Sequence, residues 1–153
     1  MILSQTRDVE LIAKLNKHVH DVHVEQYPEY FQEYNYENIL AFYQGIINKE
    51  EFLFLLLEDF SQPIGYAWVE MKNYPETAFK KEYKSVYVHQ ISISYNYRNK
   101  GYGSILMEEI YSVARSNGIN RVELDYWTNN LIAIDFYNKN GFVTYRELVY
   151  KEL

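Results

Sequence analysis

The sequence predicts an α/β protein: a mixed, mostly antiparallel central sheet of about six or seven strands with helices on both faces. Three observations predict it. Two apolar runs, Glu51 to Glu58 and Ile64 to Met71, flank the turn-forming stretch "EDFSQP" and read as a hairpin. A long strand-like run, Ser85 to Tyr95, leads through a glycine junction into a helical stripe and a further strand, the order of a β-α-β unit. No Pro/Gly/Ser-rich linker or repeat interrupts the 153 residues, so a single domain over 1–153 is expected.

Each element has a local reason. Ile2 to Thr6 reads as a short strand, and Asp8 as the cap of a helix whose apolar residues Val9, Ile12, Leu15, Val19 and Val22 recur at helical spacing, with Pro28 marking a break near its end. Asn35 caps a second helix carrying Ile39, Leu40, Tyr43, Ile46 and Ile47 on its inner face. Tyr74 to Lys84 is a charged loop. Leu106, Met107, Ile110, Val113 and Ala114 form a third helical stripe, ending before Gly118, a residue suited to the position after a helix. Arg121 to Trp127 reads as a strand, Asn130 to Asn140 as a short helix closed by Gly141, and Phe142 to Lys151 as a last strand.

Composition narrows the function. The chain has no cysteine, which excludes disulfides, thiolate metal sites and a cysteine acyl-enzyme, and fits the cytoplasm. The longest apolar run, Phe52 to Leu57, is far shorter than the ~20 residues a membrane helix needs, so no membrane partner is expected. The start, "MILSQTRDVE", lacks the basic and apolar regions of a signal peptide. A net charge of -6 disfavours a nucleic-acid partner and favours a cationic small molecule or peptide.

The stretch "YRNKGYGS" (97–104) sits between a strand and a helix. The first N–H groups of a helix have no internal partner, and the helix dipole adds about half a positive charge there. Glycines admit φ > 0 and close approach, and Arg98 and Lys100 add cations, so the predicted ligand is a phosphate or pyrophosphate. A dinucleotide fingerprint would need a glycine where Leu106 stands, and a P-loop would need a lysine directly after Gly103, where Ser104 stands.

Arg98-Asn99-Lys100-Gly101-Tyr102-Gly103 resembles the Arg/Gln-x-x-Gly-x-Gly/Ala motif of the GNAT N-acetyltransferases. Downstream, "NLIAIDFYNKNGF" (130–142) resembles their second signature, Asn-x-x-Ala-x-x-x-Tyr…Gly-Phe, with Asn130, Ala133, Tyr137, Gly141 and Phe142 in place. The resemblance covers Ile64 to Phe142 well and the first 60 residues in outline. It implies a GNAT-like acyl-coenzyme A fold and acetyl-coenzyme A as co-substrate, without a metal. The diphosphate would sit on the backbone of Lys100, Gly101, Tyr102, Gly103 and Ser104, with Arg98 and Asn99 leading in. The pantetheine arm would pair with the backbone of Ile91, Ser92 and Ile93, and Asn130, Ala133 and Tyr137 would line the cofactor from the other side.

In the family a Tyr at the Tyr137 position commonly protonates the leaving thiolate. The base that takes the amine's proton is open. Histone-type members carry a Glu where this chain has Tyr87. Ribosomal-protein-modifying members carry a Glu where this chain has Asp125, and Glu123 and His89 are further candidates. With no cysteine, direct attack with both substrates bound is the simpler mechanism.

The acceptor side points to "HVHDVHVEQYPEYFQEYNYEN" (18–38). Here Glu25, Glu29, Glu33 and Glu37 alternate with Tyr27, Tyr30, Phe31, Tyr34 and Tyr36, and acid plus aromatic surface suits a cation. Tyr27, Tyr30, Phe31 and Glu29 are the candidate acceptor wall for a primary amine on a small cation or a peptide. His18, His20 and His23 lack the spacing of a metal site on a helix. A homodimer fits the family. The alternative to an enzyme is a non-catalytic module that keeps the acyl-coenzyme A cradle and binds a protein partner.

Overall fold

The structure, a computed structural model, describes residues 1–153. The elements run β1 (Ile2–Gln5), α1 (Val9–Gln26), α2 (Tyr36–Ile46), β2 (Phe52–Asp59), β3 (Gln62–Tyr74), β4 (Tyr83–Ile93), α3 (Tyr102–Ser116), β5 (Val122–Leu124) and α4 (Leu131–Lys139). One sheet of order β1-β2-β3-β4-β5 is antiparallel except at its last pair, where β4 and β5 are parallel. The mixed sheet is as expected, with five strands in place of six or seven.

The expected caps form. Asp8 accepts from Leu11 N–H at 3.0 Å and Asn35 from Asn38 N–H at 3.0 Å, each satisfying an orphan donor of its helix. The β2–β3 turn is Phe60 and Ser61, both at positive φ (47° and 62°), the backbone that matches the twist of a two-residue hairpin. Gly118, at φ 67°, ends α3, and Gly141, at φ 80°, ends α4.

The sheet buries both faces. On one, α3 sets Leu106, Met107, Ile110 and Ala114 against Leu55, Leu57, Ala67, Val69, Val86 and Val88. On the other, α1 and α2 set Ile12, Ala13, Leu15, Tyr43 and Ile47 against Phe54, Leu56, Tyr66 and Trp68. The strict alternation along β2 divides Phe54 and Leu56 from Leu55 and Leu57.

Strand β4 breaks its alternation once. Trp68 pairs with Gln90 and Val69 with Val88, so His89 is an extra, bulged residue. The bulge resets the faces. Val86 and Val88 before it and Ile91 and Ile93 after it all join the α3 core, whereas Gln90 turns to the α1 side. There its Oε1 accepts from Asn16 Nδ2 at 3.0 Å, Tyr43 OH at 2.9 Å and Tyr66 OH at 2.5 Å. This buried network joins α1, α2, β3 and β4 through one side chain.

The sequence-predicted strand over Phe142–Lys151 does not form. Residues 142–153 have no regular structure, and Val143, Leu148, Val149 and Leu153 are exposed. A strand needs a partner edge, and β5, the edge strand of the sheet on this side, is only three residues long and pairs with β4 alone. Side chains hold the segment instead. Tyr145 OH donates to Glu123 at 3.2 Å, and Thr144 shares a hydrogen bond with Tyr126 at 3.0 Å.

Gly65 fixes the approach of β3 to the end of β4. A Cβ there would lie 2.6 Å from Ser92 O and 2.6 Å from Ile93 Cδ1. Gly65→Ala is therefore expected to destabilise the fold by about 1–3 kcal/mol, read as a lower urea midpoint at unchanged m-value.

Candidate active site

The glycine junction builds an open helix start. Asn99 (φ 60°) and Gly101 (φ 85°) both take left-handed backbone, so the chain turns sharply between a 3-10 turn at Tyr95–Tyr97 and the first residue of α3. No side chain caps α3, whereas Asp8, Asn35 and Asn130 cap the other three helices. The first internal bond of α3 is Ile105 N–H to Gly101 C=O at 3.2 Å, which leaves the N–H groups of Tyr102, Gly103 and Ser104 directed outward. The loop is braced against the β2–β3 hairpin: Tyr102 OH donates to Asp59 at 3.0 Å and Tyr97 OH to Gln62 at 3.3 Å. Lys100 reaches over the ring of Tyr97, 5.5 Å from its centroid, and makes no ion pair.

The two glycines do different work. Nothing lies within 4 Å of a Cβ built on Gly101, and its need is conformational. A Cβ on Gly103 would meet the ring of Phe136 at 3.1 Å. Gly103 thus lets α4 approach α3, and the neighbour of Phe136 is Tyr137.

Below the loop, β4 has a free edge. It pairs with β5 only from Val86 to Val88, and β5 ends opposite Val88 at Leu124. Ser94 N–H bonds to Ile64 C=O on β3 at 2.8 Å, so by two-residue alternation Ser92 also faces β3, and Ile91 and Ile93 turn their backbone groups to the open side. Of the three expected pantetheine-pairing residues, Ile91 and Ile93 present their backbone there and Ser92 does not. Helix N–H groups at one end and an unpaired strand edge leading away from them fit an anionic head with an amide-bearing arm, which is the shape of coenzyme A.

Tyr137 is 8% exposed, ringed by Tyr126, Phe136 and Phe142, and its hydroxyl has no partner in the protein. Burial, aided by the charge of Asp125, pushes its pKa up to about 12, so the phenol keeps its proton at neutral pH. Asn130 serves this residue indirectly. Its Oδ1 accepts from Ala133 N–H at 3.1 Å and so starts α4, the helix that carries Tyr137.

The structure separates the base candidates. Asp125 is exposed just beyond β5 and accepts one hydrogen bond, from Tyr87 OH at 2.5 Å on Oδ2. Oδ1 remains open. Burial and the Asp125 charge raise the Tyr87 pKa, so it stays a donor. Glu123 is buried and its oxygens are occupied by Ser85 OH at 2.8 Å, Arg121 Nε at 2.7 Å and Tyr145 OH at 3.2 Å. It ties β4, β5 and the C-terminal segment together and makes no hydrogen bond to Tyr137. His89 stacks on Trp68 at 4.2 Å and bonds Glu70 at 2.6 Å.

The acceptor-side aromatics converge. Tyr27, Tyr30 and Phe31 lie 4.5, 5.4 and 5.2 Å, centroid to centroid, from Trp127. Tyr27 OH also accepts from Asn129 N–H at 2.9 Å. The α1–α2 connection is thereby fastened to the β5–α4 connection, two residues from Asp125. Trp127 is the residue that sequence reasoning missed, although it is one of only two tryptophans and lies between Asp125 and Asn130. Glu25, Glu29, Glu33 and Glu37 are all exposed, with Glu25 in α1, Glu37 in α2 and the middle two between the helices. His20 and His23 serve the wall: His20 Nε2 meets Gln32 C=O at 2.7 Å, and His23 stacks on Phe31 at 4.8 Å. Burial lowers the His23 pKa and keeps the ring neutral at pH 7.

Comparison with known proteins agrees with this geometry. Residues 16–142 match the profile of the Acetyltransferase (GNAT) family. The uncharacterized N-acetyltransferase MJ1207 of Methanocaldococcus jannaschii is 26% identical over 101 residues, 66% of this chain and 43% of that protein, so the chain spans under half of that relative's length. Among solved structures, a tetramutant of the BH1408 protein of Bacillus halodurans superposes with a TM-score of 0.89 at 22% identity, covering 100% of both chains. The aminoglycoside N-acetyltransferase AAC(6')-Iy in complex with CoA superposes with a TM-score of 0.72 at 14% identity, covering 99% of this chain and 93% of that one. No helix here is long and apolar enough to cross a membrane. With both motifs on the elements that build the cradle, and a profile that spans most of its length, the chain belongs to the GNAT acetyltransferase family.

Proposed function

We propose that the chain is an acetyl-coenzyme A-dependent N-acetyltransferase that acylates a primary amine by direct attack with both substrates bound. One juxtaposition carries this reading. The uncapped start of α3 and the free edge of β4 lead toward a phenol that keeps its proton, Tyr137, and Tyr137 lies within electrostatic reach of an exposed carboxylate, Asp125. Support also comes from the family match and from the CoA-bound fold relative.

Acetyl-coenzyme A, when bound, supplies an acyl carbon activated as a thioester. The backbone N–H groups of Tyr102, Gly103 and Ser104, with Lys100, hold the diphosphate. Ile91 offers its N–H and C=O groups, and Ile93 its N–H, to the amides of the arm, the C=O of Ile93 being taken by Arg98. Asp125 Oδ1, directly or through one water, takes the proton that the acceptor ammonium must lose before its nitrogen can form the new C–N bond. Tyr137 gives its phenolic proton to the sulfur as the C–S bond breaks and regains one from the second proton that the nitrogen sheds on becoming an amide, while the proton gained by Asp125 returns to solvent. The aromatic wall of Tyr27, Tyr30, Phe31 and Trp127, with Glu29 beside it, favours a cationic acceptor.

Thiol release from acetyl-coenzyme A against a panel of polyamines, aminoglycosides and peptide amines tests the activity. Turnover on a cationic amine is expected, and acetyl-coenzyme A binding without turnover on any amine would favour the binding module. In the active protein, Tyr137→Phe and Asp125→Asn are each expected to lower kcat about 100-fold with coenzyme A affinity little changed. Glu123→Gln should act mainly on stability and leave the kcat of the folded protein within about threefold. Equal kcat losses at Glu123 and Asp125 would reassign the base. Gly101→Val forces a β-branched residue to φ 85° and is expected to weaken coenzyme A binding about tenfold or more, measured by calorimetry on the folded variant.

A further inference from the structure

Arg98 opens the glycine motif, and its position invites the role of a phosphate ligand. In the fold its guanidinium is engaged elsewhere. Nε donates to Ile93 C=O at 3.0 Å, and a terminal nitrogen donates to His18 C=O at 3.2 Å, eighty residues away in the chain. Ile93 is the last residue of β4, on the side left open by β5, and His18 lies in α1. A planar guanidinium with two bonds in fixed directions holds its partners in one relative placement, which the point charge of a lysine cannot do.

We infer that Arg98 is a positioning residue that straps α1 to the end of the cofactor strand, so that filling the diphosphate cradle orders the acceptor wall. The inference rests on the reading of the cradle as a coenzyme A site. Arg98 stands between two anchored points, Ser94, whose N–H bonds to Ile64 of β3, and the start of α3, on a loop with two left-handed residues. An anion held by the N–H groups of Tyr102 to Ser104 restrains that loop, and Arg98 transmits the restraint to His18. Past His18, the same helix carries His20 and His23, which hold Gln32 and Phe31, and Phe31 packs on Trp127. The path is a chain of direct contacts from donor cradle to acceptor wall. Side-chain charge toward the diphosphate is left to Lys100.

Hydrogen exchange of the full chain with and without coenzyme A, together with calorimetric affinities, tests this without a known acceptor. In the wild type, coenzyme A is expected to slow exchange both at 98–105 and at 18–26. Arg98→Gln and Arg98→Lys are expected to bind coenzyme A within about threefold of wild type and to keep protection at 98–105, but to lose it at 18–26. Lys100→Gln is expected to weaken coenzyme A binding and reduce its salt dependence. A tenfold or greater loss of affinity in Arg98→Gln that Arg98→Lys restores would make Arg98 a phosphate ligand and overturn the inference. Protection at 18–26 that persists in both variants, or that is absent in the wild type, would also overturn it. If Arg98→Gln does not fold, Arg98→Lys and the wild-type exchange pattern still decide. Failure of the wild type to bind coenzyme A at all would instead sink the cofactor reading.

Discussion

The site depends on the unpaired edge of β4. A strand inside a sheet normally has both edges satisfied, and exposed N–H and C=O groups otherwise demand water or a ligand. Here β4 pairs with β3 along nearly its whole length but with β5 over three residues only. Beyond Val88 its outer edge belongs to the cleft. The glycine loop, the start of α3 and the position of Tyr137 are all arranged around that opening.

Three local devices keep the edge open and correctly aimed. The bulge at His89 rotates the strand, so that Ile91 and Ile93 pack on the α3 core while Gln90 is gripped from the α1 side by Asn16, Tyr43 and Tyr66. Gly65 lets β3 come close enough to hold the end of β4 where any Cβ would collide. Glu123, buried and bonded to Ser85, Arg121 and Tyr145, anchors the start of the short β4–β5 pairing in a saturated polar cluster. Such a network is costly to disturb because each partner lost leaves a buried group unpaired.

The proposed function divides between two kinds of chemistry. On the α4 side, a buried phenol holds its proton, and Gly103 allows its helix to sit against α3. On the β5 side, Tyr87 takes one oxygen of Asp125 and leaves the other open. The proposed acceptor wall comes from the other end of the chain, where Tyr27, Tyr30 and Phe31 close on Trp127, two residues from Asp125. The proposed reaction draws on the uncapped start of α3, the buried phenol of Tyr137, the open oxygen of Asp125 and the aromatic cluster around Trp127.

The sequence by itself determined the elements whose cause is local. The caps Asp8 and Asn35, the hairpin around Phe60–Ser61, the left-handed Gly101 and the Asn130–Gly141 limits of α4 were all legible, because each follows from the chemistry of a few adjacent residues. So was the pair of motifs that names the family. Tertiary structure alone decided the rest. It engaged Arg98 with the carbonyls of Ile93 and His18, filled the oxygens of Glu123 while leaving one oxygen of Asp125 open, and gathered Tyr27, Tyr30 and Phe31 on Trp127. It also left Phe142–Lys151 unpaired, because β propensity does not supply a partner edge. These outcomes depend on which groups from distant segments arrive at the same point, and burial and competition for hydrogen bonds settle that only once the chain is folded.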